Sequence, residues 1–240
     1  MSSIQKSLSS TDQDLLRAIF EADSGQRRVP MGKAAELIDR ASAAVTVAAK
    51  RLRAMGLVDY VAYHGLQLTP AGERHALELT RHHRLLECYL VEFLDYSWTD
   101  VHDEADRLEH AMSEELERRI ASRVSDPTSD PHGAPIPSDM LEIARDDARP
   151  LSGFEPGADV VVRRVRDREP AVLAYVAQLG LLPGATLQVR ERLPFGGPLV
   201  LEVNGTTRHV GLSVTDQVFV EHIPDAERVD VTQRKGACEA

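Results

Sequence analysis

The sequence predicts a mainly α-helical protein with a small β-barrel at its C-terminal end, and three observations lead to this fold class. Apolar residues recur at helical spacing through most of the first half of the chain. A stretch rich in proline and turn residues, 125–138, interrupts that pattern. Beyond Pro150 the sequence changes to short apolar strands separated by glycine-bearing turns, which is typical of a small barrel. At 240 residues the chain is long enough for two or three small domains.

The N-terminal third predicts three short helices and a hairpin. Ser10 or Thr11 can cap the first helix, in which apolar residues recur on one face. Gly56 follows the third helix as a stop signal, and the segment around His64 and Gly65 separates two strand-like runs. The predicted elements are helices at 11–23, 31–38 and 41–55 and strands at 57–61 and 66–68. Three helices followed by a hairpin is the plan of a winged helix-turn-helix.

The middle of the chain predicts long helices, and its last third predicts mainly strands. Leu79, Leu86, Leu90, Phe93 and Leu94 recur at helical spacing in the first long helix. The predicted helices are 71–96, 99–124, a short one at 139–144 and one at 171–179, and the predicted strands are 160–162, 187–189, 199–203, 208–210 and 218–220. The polar segment beyond residue 223 predicts a disordered tail.

Charge is distributed unevenly along the chain. The formal net charge of −10 divides into +2 for residues 1–75, −10 for 76–150 and −2 for 151–240. The acidity of the middle indicates carboxylates gathered for cations, and it does not exclude a DNA-binding N-terminal third. Cys88 and Cys238 form no metal-ligand spacing. No segment is apolar enough for a membrane span, so we expect a soluble, cytoplasmic protein.

The segment 101–110 carries the densest set of candidate metal ligands. On a regular helix with His102 at zero, Asp106 falls at about 40°, Glu109 at about −20° and His110 at about 80°. Four candidate ligands therefore share one face. An apolar stripe borders this face on the same helix, so the ligands are expected to lie next to a core.

His83 and Glu87 form a second candidate pair on the preceding helix, where positions i and i+4 can converge on one ion. Taken alone, such a pair is more often a solvated or structural feature than a metal site. Two histidines and two acids beside an apolar stripe, opposite this pair, would be costly to bury without a cation, so metal binding is the favoured interpretation. Imidazole and carboxylate without sulfur favour Mn(II) or Fe(II) over Cu(I). Zn(II) would also bind by affinity, and only coordination number would exclude it.

Three ordered motifs carry a resemblance to a known family. They are Arg81-His82-His83-Arg84-Leu85-Leu86-Glu87, Val101-His102-Asp103-Glu104-Ala105 with Leu108-Glu109-His110, and Asp130-Pro131-His132-Gly133-Ala134-Pro135-Ile136-Pro137. Residues 11–222 resemble the diphtheria-toxin-repressor (DtxR) family of metal-dependent repressors, in the three-domain form of its manganese-responsive, MntR-type branch. The run Leu179-Gly180-Leu181-Leu182-Pro183-Gly184 resembles the SH3-like FeoA domain of that family.

Together with the element pattern, the resemblance implies five segments. They are a winged helix-turn-helix DNA-binding domain at 1–75, a helical dimerisation and metal-binding domain at 76–144, a linker at 145–155, an SH3-like FeoA-type domain at 156–223 and a disordered tail at 224–240.

The resemblance also implies two ions per subunit. A primary, regulatory site would be formed by Asp14, Asp106, Glu109 and His110, with the main-chain carbonyl of Asp106 as a further candidate. An ancillary site would be formed by His83, Glu87, His102 and Glu169. Iron-responsive members carry cysteine and methionine where this chain has Asp106 and Asp14, so manganese is favoured over iron. The chain departs from the family at Val172, where a second barrel ligand is expected, and at Arg17, where two-domain manganese sensors carry a glutamate.

The third helix predicts the DNA contacts. Its exposed start consists of small residues, which let a helix enter the major groove closely, although an alanine-rich helix is as often only a good helix former. Ser42 and Thr46 are the candidates for base contacts, and Lys50, Arg51, Arg27, Arg28 and the wing residue His64 are the candidates for backbone contacts. DNA shape is expected to add specificity. The apolar residues Leu86, Leu90, Phe93, Leu94 and Trp98 predict a dimer seam or, alternatively, intramolecular core.

The leading hypothesis is a Mn(II)-activated repressor without enzymatic activity. Metal shared between Asp14 and the segment around Asp106 would favour a homodimer whose recognition helices meet a palindromic operator, and the resemblance suggests metal-uptake genes as targets. Neither a membrane nor a small organic ligand is expected as a partner. One alternative is an Fe(II)-dependent repressor on the same scaffold. Two others are a metallohydrolase, for which no nucleophile motif or phosphate loop is present, and an adaptor whose barrel binds a protein.

Overall fold

The computed structural model describes residues 8–22, 28–61, 64–166 and 169–223, which form two compact units. The first unit contains the described residues up to Tyr96 together with Asp103–Asp130 and Pro135–Ala144. The second contains Ser97–His102, Pro131–Ala134 and the described residues from Arg145 onward. Within the described ranges, no helix is both long and apolar enough to cross a membrane. The predicted tail at 224–240 and the predicted DNA contact Arg27 lie outside these ranges.

The N-terminal part of the first unit has the three helices and the hairpin that the sequence predicts. They are α1 (Ser10–Ala22), α2 (Met31–Leu37), α3 (Ser42–Ala54), β1 (Val58–Val61) and β2 (Gly65–Leu68). The strands β1 and β2 pair antiparallel, and Val29 adds a bridge to Leu66. Gly65 lies at φ +95°, and a Cβ there would approach the carbonyl oxygen of Val29 to 2.4 Å, so this turn requires glycine.

The cap of α1 differs from the prediction by one residue. Ser9, not Ser10 or Thr11, precedes the helix, and its hydroxyl accepts a hydrogen bond from the backbone nitrogen of Asp12 at 3.3 Å. The carboxylate of Asp12 in turn accepts from the backbone nitrogen of Ser9 at 2.9 Å. This reciprocal pair is a capping box with aspartate at the third helical position, and it fixes the rotation of α1.

One apolar core holds the N-terminal helices against the start of the next helix. The large side chains in it are almost fully buried and come from four elements: Leu15, Leu16, Ile19, Leu52, Leu66 and Leu79. The helix α4 (Pro70–Leu94) begins immediately after the hairpin, where the hydroxyl of Thr69 accepts from the backbone nitrogen of Gly72 at 3.1 Å. This packing places α1 and α4 side by side.

The long helix predicted at 99–124 is wrong. The chain instead forms α5 (Val101–Leu108), a 3-10 turn (Glu109–Ala111) and α6 (Glu114–Ala121). Met112 adopts an extended ψ of 130°, and the hydroxyl of Ser113 accepts from the backbone nitrogen of Leu116 at 3.2 Å to cap α6. The apolar pattern continues through this break, which is why periodicity alone reads it as one helix.

The short helix predicted at 139–144 is also wrong. Leu141 takes a left-handed conformation with φ +60°, and its backbone nitrogen donates to the carbonyl of Ser138 at 3.0 Å. A residue in that conformation cannot continue a right-handed helix. The segment therefore forms a closed turn.

The second unit contains one six-stranded antiparallel sheet with two helices. Its elements are β3 (Arg149–Pro150), β4 (Asp159–Val165), α7 (Pro170–Leu179), β5 (Thr186–Arg192), β6 (Leu199–Val203), β7 (Thr206–Val210), α8 (Leu212–Thr215) and β8 (Val218–His222). The order is β3-β8-β4-β5-β6-β7. The sequence predicts a closed barrel here, but among the described residues the edge strands β3 and β7 do not pair, and the sheet is open. Leu173 and Val176 of α7 pack into its core.

Candidate metal centre

Three segments of the first unit bring candidate ligands together. The capped helix α1 presents Asp14 and Arg17, which lie three residues apart and therefore on one face. The helix α4 contributes His83 from its buried middle. The 3-10 turn after α5 contributes Glu109 and His110. The break in the predicted long helix therefore lies at the candidate site itself, so the angles of a regular helix do not apply to these two residues.

His83 is a buried histidine that contacts three carboxylates. Its Nδ1 lies 2.7 Å from Oε2 of Glu109 and 3.1 Å from Oδ1 of Asp106, and its Nε2 lies 3.1 Å from Oε1 of Glu87. Burial and the charge of Arg17 lower the pKa of His83, but Glu87 and the hydrogen bonds to Asp106 and Glu109 outweigh them, so this pKa is raised well above 6.5. Through His83, acids predicted for the primary site are contiguous with Glu87 of the predicted ancillary site.

The guanidinium of Arg17 lies among the same acids. It donates from Nη2 to the carboxylate of Asp106, and its Nε lies 3.5 Å from Oε1 of Glu109. Its Nη1 lies 3.8 Å from Glu21, one turn further along α1. Burial lowers the pKa of Arg17, but the charges of Glu109, Glu21 and Asp106 raise it by more, so the side chain is a permanent cation.

Asp14, Glu109 and His110 form a triad whose candidate ligand atoms all lie within 4.8 Å of one another. Nε2 of His110 lies 3.2 Å from Oδ1 of Asp14, and Nδ1 lies 2.8 Å from the amide oxygen of Gln13. The hydrogen bond to Asp14 raises the pKa of His110 above 6.5, against the opposing effect of burial. In this arrangement two adjacent residues of α1 hold both nitrogens of one imidazole ring.

The triad is chemically suited to a divalent cation. Oε1 of Glu109 is buried and has no hydrogen-bond partner, a situation that costs free energy unless a cation satisfies the oxygen. Asp14 and His110 remain about one fifth exposed, which leaves the triad open to solvent on one side. Two carboxylates and one imidazole are ligands for Mn(II), Fe(II) and Zn(II).

The structure differs from the predicted ligand sets in one respect and leaves another untested. Asp106 contacts Arg17 and His83 rather than joining the triad. His102 and Glu169 belong to the second unit, so their assignment to a site with His83 stays a prediction. Glu169 is exposed and directly precedes α7.

Sequence reasoning overlooked two members of this network. Gln13 carries no charge, and its only signal is its place beside Asp14 on a helix. Arg17 was recognised only as a departure from a pattern, because nothing in the sequence indicates that its side chain turns toward Asp106, 89 residues away. Both residues are buried on α1.

The predicted recognition helix α3 presents an exposed face. Ser42 and Lys50 are exposed, while the hydroxyl of Thr46 donates to the carbonyl of Ser42 at 2.8 Å. Arg51 is half exposed, and its Nη2 and Nε lie 2.6 Å and 3.0 Å from Oδ1 of the buried Asp12. Arg51 thus ties α3 to the capping box of α1. The roles of these residues toward DNA stay predictions.

Two further predicted DNA contacts lie around the hairpin, and α3 carries one exposed apolar residue that sequence reasoning did not single out. His64 is exposed between β1 and β2, and Arg28 donates to the carbonyl of Asp59 at 3.4 Å. Val47 of α3 has 62% of its surface exposed although it is apolar. Apolar side chains on recognition helices contact thymine methyl groups, so Val47 joins the residues whose role toward DNA stays a prediction.

Comparison with protein families covers nearly the whole chain. The family described as "Iron dependent repressor, N-terminal DNA binding domain" matches residues 7–66, "Iron dependent repressor, metal binding and dimerisation domain" matches 69–138, and "FeoA domain" matches 149–222. These boundaries follow the order of elements described above.

Individual relatives agree with the family matches. The iron-dependent repressor IdeR of Mycobacterium tuberculosis is 30% identical over 211 residues, covering 80% of this chain and 88% of that protein. The diphtheria toxin repressor of Corynebacterium diphtheriae is 35% identical over 163 residues, and the match covers 67% of this chain and 72% of that repressor. Among solved structures, a manganese-dependent transcriptional repressor in complex with manganese has a TM-score of 0.84 at 34% identity, over 88% of this chain and all of its own. The manganese regulator SloR has a TM-score of 0.77 at 28% identity, and the match covers 90% of this chain and 100% of the SloR chain.

Proposed function

The chain belongs to the diphtheria-toxin-repressor family of metal-dependent transcriptional repressors, and we propose that Mn(II) activates it to bind palindromic operator DNA as a homodimer. Its fold and its relatives are those of repressors and not of enzymes. The observation that carries the proposal is the triad of Asp14, Glu109 and His110, because it joins a helix of the DNA-binding domain to the helical domain. We further propose metal-uptake genes as targets and the cytoplasm, where the DNA lies, as the location.

The mechanism we propose links the triad to the recognition helix through α1. A divalent ion at the triad would supply the positive charge that holds its two carboxylates and its imidazole together. Asp14 would thereby fix α1 against the turn that carries Glu109. Asp12, two residues earlier, holds Arg51 of α3, so an α1 with restricted motion also restricts the recognition helix. Metal affinity and operator affinity are then reciprocally linked.

Manganese is proposed over iron because of the ligand chemistry. The triad offers oxygen and imidazole nitrogen without thiolate or thioether, which favours hard to borderline ions. The relatives include both iron-dependent and manganese-dependent repressors, so an Fe(II)-dependent repressor is the second candidate. The two candidates differ in which ion activates at the lower free concentration.

A homodimer is supported by apolar side chains that lie exposed among the described residues. Phe93 and Leu94, at the C-terminal end of α4, are 47% and 53% exposed. Leu86 and Leu90 are buried within the chain, and Trp98 packs against the core of the second unit. The sequence left a dimer seam and intramolecular core open as alternatives for these residues, and the burial of Leu86 and Leu90 supports the second alternative for those two. We propose that Phe93 and Leu94 form the centre of the dimer contact.

The test is metal-dependent DNA binding by the full chain. A labelled duplex, selected from random-sequence DNA by the Mn(II)-loaded protein, is titrated in EDTA, Mn(II), Zn(II) and, anaerobically, Fe(II). We expect Mn(II) to raise operator affinity at least tenfold, Asp14→Asn to abolish this rise, and the control Asp103→Asn, an exposed acid of α5, to keep it. Operator affinity indifferent to every metal would contradict the proposal, and activation at lower free Fe(II) than Mn(II) would favour the second candidate.

A further inference from the structure

Arg17 places a buried, permanent positive charge within the candidate metal centre. The residue is 8% exposed, and its guanidinium contacts acids from three segments: Glu21 on α1, Asp106 on α5 and Glu109 on the 3-10 turn. An arginine this buried normally compensates carboxylates that would otherwise be costly to bury. Here the carboxylates that it compensates include two predicted metal ligands.

The contact with Glu109 concerns the same oxygen that a metal would take. Oε1 of Glu109 lies 3.5 Å from Nε of Arg17 and 4.0 Å from Nδ1 of His110, and it has no hydrogen bond. Oε2 of Glu109 is already engaged by His83 at 2.7 Å. The oxygen that is left for an ion therefore faces the guanidinium across a gap too long for a hydrogen bond.

We propose that Arg17 is a built-in cation that competes with the metal for Glu109 and Asp106, and that it thereby sets the metal concentration at which the site fills. This inference rests on the proposed function, since it assumes that the triad binds a divalent ion. A guanidinium about 5 Å from a divalent ion would repel the ion. Even at the effective dielectric constant of about 20 that suits partly hydrated sites, this repulsion would weaken metal binding by more than tenfold. Arg17 also engages Oδ1 of Asp106, so an ion that took this oxygen would have to displace the guanidinium.

A purely structural role for Arg17 makes a different prediction. If the guanidinium only neutralises buried acids, its removal should destabilise the protein and leave metal affinity unchanged. If it competes, its removal should destabilise the metal-free protein and tighten metal binding, because the ion then compensates the same acids. Stability and metal affinity must therefore be measured on the same variants.

The experiment uses the full chain, stripped of metal, with Mn(II) affinity measured by competition against a chelating dye and stability measured by thermal unfolding. Arg17→Gln is expected to bind Mn(II) at least tenfold more tightly than the wild type and to unfold at a lower temperature without metal. Added Mn(II) should raise its unfolding temperature by more than it raises that of the wild type. Arg17→Lys keeps the charge and should stay within threefold of the wild-type affinity. Arg17→Met, which keeps the apolar stem, repeats the test if the glutamine variant does not fold.

The matched control is Arg81→Gln. Arg81 is 7% exposed and donates to Glu117 at 2.6 Å, so its loss also removes a cation from a partly buried acid, but this acid lies on α6 and outside the triad. We expect it to lower stability and to leave Mn(II) affinity unchanged. An Arg17→Gln affinity equal to or weaker than that of the wild type would overturn the inference. Absence of Mn(II) binding in the wild type and in every variant would overturn the proposed function itself.

Discussion

Loss of the Asp12–Arg51 ion pair should destabilise the DNA-binding domain by a calculable amount. Asp12 is fully buried in its side chain, whereas Arg51 is 46% exposed. One oxygen of Asp12 accepts from Arg51 at 2.6 Å and 3.0 Å, and the other accepts from the backbone nitrogen and the hydroxyl of Ser9. The substitution Asp12→Ala removes both sets of contacts at once.

The magnitude follows from the two parts. The lost capping box costs about 1 kcal/mol, as measured for other N-terminal helix caps. The ion pair adds about 1 kcal/mol and not more, because the exposed half of Arg51 is solvated and screened in either state. We therefore expect Asp12→Ala to lower the free energy of unfolding by about 2 kcal/mol.

A double-mutant cycle isolates the pair itself. Urea unfolding of the metal-free protein is measured for Asp12→Asn, Arg51→Gln and the double variant, with an expected coupling of about 1 kcal/mol. The control cycle uses Lys33 and Glu36 of α2, whose side chains lie 2.9 Å apart but are 50% and 70% exposed. Its coupling should stay below about 0.5 kcal/mol. Equal coupling in the two cycles would refute the argument that Asp12 firmly connects α1 with α3.

Three further predictions concern packing, pH and assembly. Gly72→Ala would place a Cβ 1.9 Å from a backbone oxygen and should cost about 3 kcal/mol in chemical unfolding, whereas Gly32→Ala meets nothing within 4 Å and should be neutral or stabilising. The pKa of His110 is raised in the folded, metal-free protein, so protonated His110 stabilises the fold. This contribution is fully present below the ordinary histidine pKa of 6.5 and is lost as pH rises through the pKa that His110 has in the folded protein. The melting temperature of His110→Asn should therefore fall furthest below that of the wild type near pH 5 and approach it above that folded value. Phe93→Asp should weaken the dimer at least tenfold in sedimentation experiments, while Phe195→Asp, at a fully exposed turn of the second unit, should not.

Periodicity predicted the elements well where a single helix or strand pattern stood between clear stop signals. The third helix ends near Gly56 as expected, and the apolar runs of the last third are strands of one sheet. Periodicity failed at 109–113, because an apolar pattern can continue through a 3-10 turn and a new cap without changing its spacing. Closure of the sheet into a barrel depends on edge pairing, to which strand patterns are insensitive.

The candidate site was predictable in its residue types and only partly in its geometry. Glu109 and His110 were named from the residue pattern and Asp14 from the family resemblance, and the three side chains lie close together. The contacts of Asp106 were not predictable, because its partners Arg17 and His83 lie on two other helices. On one regular helix, Glu109 and Asp106 would lie on the same face. In the structure Asp106 lies on α5 and Glu109 on the 3-10 turn that follows it, so the two side chains do not share that regular helical face.

The unbroken helix α4 has a mechanical consequence. The match to the DNA-binding domain ends at residue 66 and the match to the metal-binding domain begins at 69, and α4 starts at Pro70, so no flexible linker separates the two. From Pro70 to His83 the helix is a stiff lever of about 20 Å. A tilt of about 6° about the His83 end of this segment displaces the wing by about 2 Å, which is comparable to the distance between the hydrogen atom and the acceptor in a hydrogen bond. Small adjustments around His83 are thus amplified at the surface proposed to meet DNA.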